Sequence, residues 1–487
     1  MQHRLLKRWD QNPLADKKVL VVGDLMLDHY IRGEVTRISP EAPVPVLSHQ
    51  NQYLSLGGAA NVARNLVDLG AEVELIGVLG EDPEGATLVD LATKHSIALY
   101  PIVDLHRPTT TKMRVVAGQQ QVVRVDREST QALSEKLGSE TVALVEQRLE
   151  AHDTQAIILS DYAKGFLSAA ICQQIIAIAK QKAIPVFVDP KQHDFTAYRN
   201  ATLVKPNRKE LERALDKKIE SLDILFKESR QLREKLDIQN LVVTLGERGI
   251  ALSAEAVCAH EDTHAKSVFD VSGAGDTTLA ILCLALISGW PIEEAAALAN
   301  CGAGLVVAKA GTASLELQEL RTALQQQLPK KGWLPTSQWT RARAYTEQWQ
   351  EKGESVVFTN GCFDLLHVGH ITLLEKAKAL GNRLVVGLNT DRSVQSNKGP
   401  KRPIVNESQR ARVLAALESV DLVVLFDEDD PVALVQALRP NILVKGSDYE
   451  GKWIAGGEEI KTWGGRVELI DIVDGISTSA IANRLSA

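Results

Sequence analysis

Short apolar runs recur along the chain, and most of them lead into a glycine or a polar tip. Val19–Val22 runs into Gly23-Asp24, Ala156–Leu159 into Ser160-Asp161, and Pro185–Val188 into Asp189-Pro190-Lys191. Thr202–Val204 runs into Lys205-Pro206-Asn207, and Leu241–Thr244 leads to Gly246-Glu247-Arg248-Gly249. Such runs are too short for helices and read as buried parallel strands, with helical segments between most of them. The alternation predicts a doubly wound α/β sheet whose polar tips line one edge, where ligands of such sheets bind. A helix over Val62–Leu69, stopped by Gly70, and a strand over Glu72–Gly77 fit the same scheme. Residues 35–56 interrupt it. Pro40, Pro43 and Pro45 lie among Val44, Val46 and Leu47, and proline at that density predicts edge strands or a lid. Lys112–Val116 and Val122–Val125 predict further strands of a small sheet.

The pattern breaks again over residues 329–353, which are polar yet hold Trp333, Trp339 and Trp349. Indole rings usually find a surface to pack on, so a helix around Gln338–Gln350 is expected to dock on one of the domains. The alternation then restarts with Ser355–Phe358, Arg383–Gly387 and Ile442–Val444. The predicted organisation is a first domain over 1–330, a linker over 331–353 and a second, Rossmann-like domain over 354–487.

Two stretches carry the chemistry. In the first domain Asp270-Val-Ser-Gly-Ala-Gly-Asp276-Thr277 opens a strongly apolar helical run from Leu279 to Ile287. Gly273 and Gly275 let the backbone turn sharply and approach a ligand closely. A helix starting near Asp276 would aim its free N–H groups and positive dipole end at an anion. A carboxylate there can take a proton from a hydroxyl while the N–H groups hold the charge of a transferring phosphoryl group. Gly57-Gly58 with Asn61 forms a second glycine turn before a helix, facing the same pocket. In the second domain Thr359-Asn360-Gly361-Cys362-Phe363-Asp364 precedes His367-Val368-Gly369-His370 at a helix start. Imidazoles in that position can donate to triphosphate oxygens. No third ligand is placed to make the pair a metal site. The loop Asn397–Pro403 adds Lys398, Lys401 and Arg402, suited to polyphosphate. Ser477-Thr478-Ser479 precedes a last short helix.

Composition narrows the classes without choosing among them. The 487 residues are 45% hydrophobic and 24% charged with a net charge of −7, which excludes a basic nucleic-acid footprint and a polybasic membrane patch. No stretch reaches the roughly 18 apolar residues of a membrane span. The N-terminal residues lack an apolar signal core. Five cysteines without CxxC spacing suggest reduced thiols in a cytoplasmic enzyme.

The motifs of residues 18–312 resemble those of the ribokinase-like carbohydrate kinases: Gly57-Gly58 with Asn61, Lys205-Pro206-Asn207 with Glu210, and Asp270 to Asp276. The resemblance implies a doubly wound core with a small β lid. It implies Asp276 as catalytic base and Gly273, Ala274 and Gly275 as anion hole. Asn207, Arg208, Lys209 and Glu210 would lie by the nucleotide phosphates, Glu210 toward Mg²⁺. Thr244, Gly246 and Gly249 would line the nucleotide groove, and Asp24, Asp28, Gly57, Gly58 and Asn61 the sugar. Val271 stands where many members carry Thr.

Residues 354–487 resemble the cytidylyltransferase-like nucleotidyltransferases. That implies catalytic His367 and His370, with Asn360, Gly361, Phe363, Asp364, Lys398, Ser477, Thr478 and Ser479 binding the nucleotide. The two modules in this order resemble the bifunctional heptose 7-phosphate kinases / heptose 1-phosphate adenylyltransferases. The resemblance implies ATP and Mg²⁺ as cofactors and heptose phosphates as substrates. The alternative is another sugar kinase fused to a cytidylyltransferase making a CDP-linked product. A homodimer is expected, since edge strands around residues 35–56 can pair between subunits.

Overall fold

The structure is a computed structural model, and it describes residues 2–118, 120–255, 257–263, 273–309, 313–326 and 332–471. It divides into two compact units, Met1–Gln325 and Gln326–Ala487.

In the first unit the strands are, in chain order, β1 (Lys18–Gly23), β2 (Leu25–Ile38), β3 (Pro45–Gly58), β4 (Glu72–Leu79), β5 (Ala98–Val103), β6 (Thr111–Ala117) and β7 (Gln120–Arg127). They continue with β8 (Ala156–Ser160), β9 (Val186–Asp189), β10 (Leu203–Val204), β11 (Asn240–Thr244), β12 (Ile250–Ala254) and β13 (Cys258–Glu261). Nine of them form one sheet in the order β13-β12-β11-β10-β9-β8-β1-β4-β5. The run from β11 to β5 is parallel, and β12 and β13 add antiparallel pairs at one edge. The chain order reverses between β1 and β8, which is where ligands settle in doubly wound sheets.

The helix Ala274–Ile287 is apolar on every side and buried from Asp276 to Ala285. A helix of that kind needs cover all round, and the helices Ala59–Asp68 and Ile292–Val306 pack against it. It starts two residues before Asp276, with Gly273 at its N-cap in the left-handed region (φ 83°). The helix after Gly58 likewise begins at Ala59, earlier than its apolar run suggested, so Asn61 falls in its first turn.

The remaining four strands make the lid, in the order β3-β2-β6-β7. Pro40 and Pro43 fall in the turn between β2 and β3, and β3 begins at Pro45 and lies at the edge of the lid sheet. Registers place Asp28, Tyr30 and Arg32 beside Lys112 and Arg114 on one face, and Ile31, Leu54, Met113 and Val125 on the other.

The second unit carries β14 (Trp333–Leu334), β15 (Val356–Gly361), β16 (Arg383–Asn389), β17 (Leu422–Phe426), β18 (Ile442–Gly446) and β19 (Arg466–Ile470), parallel in the order β14-β17-β16-β15-β18-β19. Here the expected linker over 331–353 differs from what is found. Trp333 and Leu334 are a strand of this sheet. The helix Trp339–Glu351 buries Ala342, Tyr345 and Trp349 in the core with Val356, Phe358 and Leu438. Polar anchors fix it: Trp339 Nε1 donates to the Leu425 carbonyl at 2.9 Å, and Thr346 Oγ1 to that of Leu438 at 2.8 Å. The buried positions recur at helical spacing within an otherwise polar stretch, so average polarity concealed one apolar stripe.

A fragment beginning at residue 354 should therefore fail to fold stably. It loses a strand and two buried aromatic rings, each worth about 1.5–3 kcal/mol of burial, against a total stability on the order of 5–15 kcal/mol. A fragment beginning at residue 326 keeps them and should show a cooperative melt. Equal melting temperatures for the two would overturn the placement of this helix in the core.

Candidate active sites

In the first unit β1, β8, β9, β10 and β11 deliver their tips to one edge, and Ala274–Ile287 points its N-terminus at it. Asp276 is buried there. Its Oδ2 accepts from Asn61 Nδ2 at 2.6 Å and its Oδ1 from the Tyr162 hydroxyl at 2.8 Å. Burial raises its pKa and the charge of Asp189 adds to this. Asn61, Tyr162 and Lys205 pull the other way, and the carboxyl stands at about 6. That is high enough to accept a proton usefully and low enough to be ionised at neutral pH. Asn65 locks the two helices together, donating to the Asn61 carbonyl at 2.8 Å and accepting from Thr277 Oγ1 at 2.6 Å. The Asn61 Oδ1 is buried without a partner, open to a ligand hydroxyl.

Lys205 is buried with its ammonium on Asp189 Oδ1 at 3.0 Å. Burial opposes its charge, but Asp189, Glu210 and Asp276 more than offset that, and its pKa stands above the ordinary lysine value. A side chain on Gly275 would meet this ammonium at 3.4 Å. The glycine-lined helix start therefore has a fixed cation beside it, as an anion site requires.

Asn207 and Glu210 form a reciprocal cap: Asn207 Oδ1 accepts from the Glu210 N–H at 2.9 Å, and Glu210 Oε2 from the Asn207 N–H at 2.8 Å. Lys191 reaches Glu210 Oε1 at 2.7 Å. Arg208 is tied to Glu212 and to the Ile219 carbonyl, while Lys209 is exposed. Thr244 pairs with Asn207 across the tips of β10 and β11. Gly246 has open space around it, whereas Gly249 (φ 79°) packs so closely that a Cβ would lie 2.0 Å from the Glu261 carbonyl oxygen.

The sugar-side residues divide. Gly57 abuts the Asp28 carboxylate, where a Cβ would sit 2.7 Å from Oδ2, and Gly58 turns at φ 58° against the Asp24 carbonyl. Asp28 is bridged by Arg114 at 2.5 Å. The Asp24 carboxylate, expected to line the sugar, accepts from a neighbouring loop. Oδ2 accepts from the N–H groups of Tyr162 (2.7 Å) and Lys164 (3.2 Å), and Oδ1 from that of Phe166 (3.4 Å). Burial, then the charge of Asp161, lifts its pKa to about 6 against those three bonds. Lys205 belongs to a motif quoted from the sequence and Asp189 to a quoted strand tip, but neither was given a role, and Tyr162, one residue past the Ser160-Asp161 tip, was not named. Asp270 lies outside the described residues.

In the second unit the site is at the C-terminal ends of β15 and β18. Asn360 and Gly361 close β15, and the Asn360 Oδ1 is buried and unpartnered. Phe363 holds a left-handed backbone (φ 43°), sets its ring over Gly361, and meets His370 edge-on at 5.0 Å. Local strain of this kind is tolerated where surrounding packing fixes it, often at functional sites.

The His367 and His370 rings stack at 3.8 Å at the start of the helix Val368–Ala379, with no side-chain cap bond. Both Nδ1 atoms are buried and without partners. Burial lowers the pKa of His367. Burial, then His367 and Lys398, brings that of His370 to about 4, opposed by the Leu365 carbonyl. Both are neutral at pH 7, so each carries one N–H donor.

Asp364, expected at the nucleotide, anchors the following loop. It takes Arg402 at 2.6 Å and the N–H groups of Ile404 (2.7 Å) and Val405 (3.1 Å). These bonds hold its pKa below the usual range despite burial. Lys398 is exposed, yet near enough for its charge to reach Cys362 and His370. Lys445 at the end of β18 is buried, and burial lowers its pKa to about 8. Ser477, Thr478 and Ser479 lie outside the described residues.

Comparisons with known proteins agree with this geometry. Residues 16–319 match the pfkB family carbohydrate kinases, and residues 358–484 match the cytidylyltransferase-like family. Phosphofructokinase-2 from Escherichia coli, solved in complex with substrates and products, superposes on the first unit's fold with a TM-score of 0.55. It is 21% identical and covers 63% of this chain and 98% of that one. A ribokinase from Arabidopsis thaliana gives a TM-score of 0.51 at 20% identity, covering 64% and 99%. These show the fold alone.

Curated proteins called "Bifunctional protein HldE" match the whole length. That of Magnetococcus marinus is 47% identical over 477 residues, covering 97% of each chain. That of Methylobacillus flagellatus is 48% identical over 478 residues, covering 96% of each. The chain is thus a carbohydrate kinase joined to a nucleotidyltransferase, and it belongs to the bifunctional HldE family.

The two donors on Asp276 make a testable arrangement. Tyr162→Phe removes a bond that lowers the carboxyl's pKa, so the acid limb of kinase kcat/KM, near pH 6 in the wild type, should move to higher pH. The general base works only when deprotonated, so rate should fall as pH drops through that limb. An unmoved limb in a folded, active Tyr162→Phe protein would refute the coupling.

Proposed function

We propose that Asp276 is the general base of a kinase that phosphorylates D-glycero-β-D-manno-heptose 7-phosphate at O1, and that His367 and His370 serve adenylyl transfer from ATP to D-glycero-β-D-manno-heptose 1-phosphate. The two reactions are the kinase and adenylyltransferase steps of ADP-heptose synthesis, as membership of the HldE family indicates. The observation that carries the site assignment is the buried Asp276, held by Asn61 and Tyr162 at a helix N-terminus with Lys205 beside it.

In the first reaction Asp276 takes the O1 proton as the oxygen attacks the γ-phosphorus of ATP. Asn61 Oδ1 accepts from a neighbouring sugar hydroxyl and orients the ring. The N–H groups of Gly273, Ala274 and Gly275, with the Lys205 ammonium, hold the charge that builds on the phosphoryl oxygens. Among the described residues no three His, Cys, Asp or Glu side chains cluster to hold a metal by themselves. The adjacent carboxylates of Asp189 and Glu210 do offer the hard oxygens that suit Mg²⁺ held mainly by nucleotide phosphates. When bound there, Mg²⁺ would neutralise phosphate charge. Asn207 to Glu210, with Thr244 and Gly246, form the nucleotide side of the groove.

In the second reaction a sugar-phosphate oxygen, already anionic, attacks the α-phosphorus and pyrophosphate leaves. No base is needed. His367 and His370 donate to the phosphates, and Lys398 and Lys445 supply positive charge. Homodimer formation through the lid is part of this reading. Edge strand β3 and the exposed apolar residues Leu54, Val123 and Val125 support it. Among the described residues no helix is long and apolar enough to cross a membrane.

Two variants test the assignment against one another. Asp276→Asn should lower kinase turnover by about 10²–10⁴ while pyrophosphate release from ATP and heptose 1-phosphate continues. His370→Ala should depress pyrophosphate release by about 10²–10³, with a smaller effect on KM for heptose 1-phosphate and the kinase untouched. Near-wild-type kinase activity in Asp276→Asn would sink the base. A His370→Ala protein with lower melting temperature but full turnover would make the imidazole structural.

A further inference from the structure

The face of the lid turned toward Asp276 is cationic. Lys112, Arg114 and Arg124 line it from β6 and β7, and Lys164 approaches from the loop after β8. Most of these charges are already matched: Arg114 by Asp28 at 2.5 Å, Arg124 by Asp126 at 2.9 Å and Lys164 by Glu128 at 2.7 Å. Lys112 is different. Among the described residues it has no carboxylate within ion-pair distance. Its ammonium lies 5.7 Å from the centroid of the Tyr162 ring, whose hydroxyl donates to Asp276. Burial lowers its pKa below the ordinary lysine value; Asp28, the strongest charge acting on it, and Asp126 support the cation, while Lys164 and Arg114 act against it. The register sets Lys112 between Asp28 and Asp126, and arginines engage both of those carboxylates, so the half-buried ammonium keeps donors that a phosphate on this face can take.

We infer that Lys112 is the specificity residue for the distal phosphate of the sugar substrate, binding that phosphate on the lid's inner face while O1 faces Asp276. One tyrosine ring separates the lysine from the base, the scale of a single sugar carrying a phosphorylated side chain. The assignment rests on the phosphosugar reading of the kinase site. It adds a reason for the lid: a phosphate bridging Lys112 on the lid and Lys164 on the core would draw the two together over the sugar.

The test uses the full-length protein with heptose 7-phosphate and with the same heptose lacking the phosphate. Lys112→Met should lower kcat/KM for heptose 7-phosphate about 10- to 100-fold, the loss of one charge-assisted hydrogen bond, mainly through KM. It should leave the unphosphorylated heptose nearly unaffected. Lys112→Arg should recover most of the loss. Adenylyl transfer on the same preparation reports that the protein is intact. An unchanged preference for the phosphorylated sugar in Lys112→Met, or an equal fall with both sugars, would overturn the assignment while leaving the kinase reading standing. A wild-type protein that does not turn over heptose 7-phosphate would overturn both.

Discussion

A buried carboxylate that must stay ionised is the constraint around which the first unit is arranged. Burial alone would protonate Asp276, and Asp189 close by makes ionisation harder still. Three features offset this: the Asn61 amide, the Tyr162 hydroxyl and the Lys205 ammonium. Each comes from a different element, and each is held by something further out. Asn61 is fixed through Asn65, which also grips Thr277. Tyr162 sits on a loop whose N–H groups converge on Asp24. Lys205 is fixed by Asp189. The tuning of one proton acceptor thus extends through two helices and several strand tips. A loss at Asn65 or Asp24 would disturb the groups that hold Asp276.

The second unit uses the same scaffold, a parallel strand leading to a helix N-terminus, with the opposite electrostatic preparation. Its nucleophile is a phosphate oxygen that needs no deprotonation, and the groups at the helix start are accordingly imidazoles. Burial, mutual repulsion and Lys398 keep His370 uncharged in the free protein. A neutral stacked pair avoids two buried cations at 3.8 Å, and the arriving triphosphate supplies the charge that makes donation, or protonation, favourable. Neighbouring donors thus hold Asp276 ionised at neutral pH, whereas burial, His367 and Lys398 hold His370 neutral.

Much of this was legible in the sequence because the decisive signals are local. Glycines beside a carboxylate at a helix start, and histidines bracketing a glycine, each specify backbone and chemistry within a few residues. The strand tips were legible for the same reason, but not the order in which the strands lie side by side or the reversal between β1 and β8. Contacts between distant segments were not. Tyr162 reaches Asp276 across 114 residues, and Lys112 reaches Tyr162 only through lid register. An aspartate after a strand can point at a ligand or at a neighbouring loop's N–H groups. Asp24 and Asp364 do the latter, and no pattern along the chain distinguishes the cases. The lid strands ran longer than expected because neither face of β2 and β3 is wholly buried, which blurs the two-residue period. The tryptophan-bearing helix was placed as a linker because its buried stripe is narrow.

The lid ties these threads together. Its two faces differ in kind: one polar and cationic toward Asp276, the other apolar and open to solvent. The exposed Leu54, Val123 and Val125 leave an apolar patch on the outer face of the lid. Its inner face cannot be apolar, because the sugar brings hydroxyls and a dianion. Strand alternation lets the same strands present both faces, interrupted where the register shifts at Arg32/Gly33, Val35/Arg37 and Val115/Val116. A shift of one residue in lid register would exchange the cationic and apolar faces.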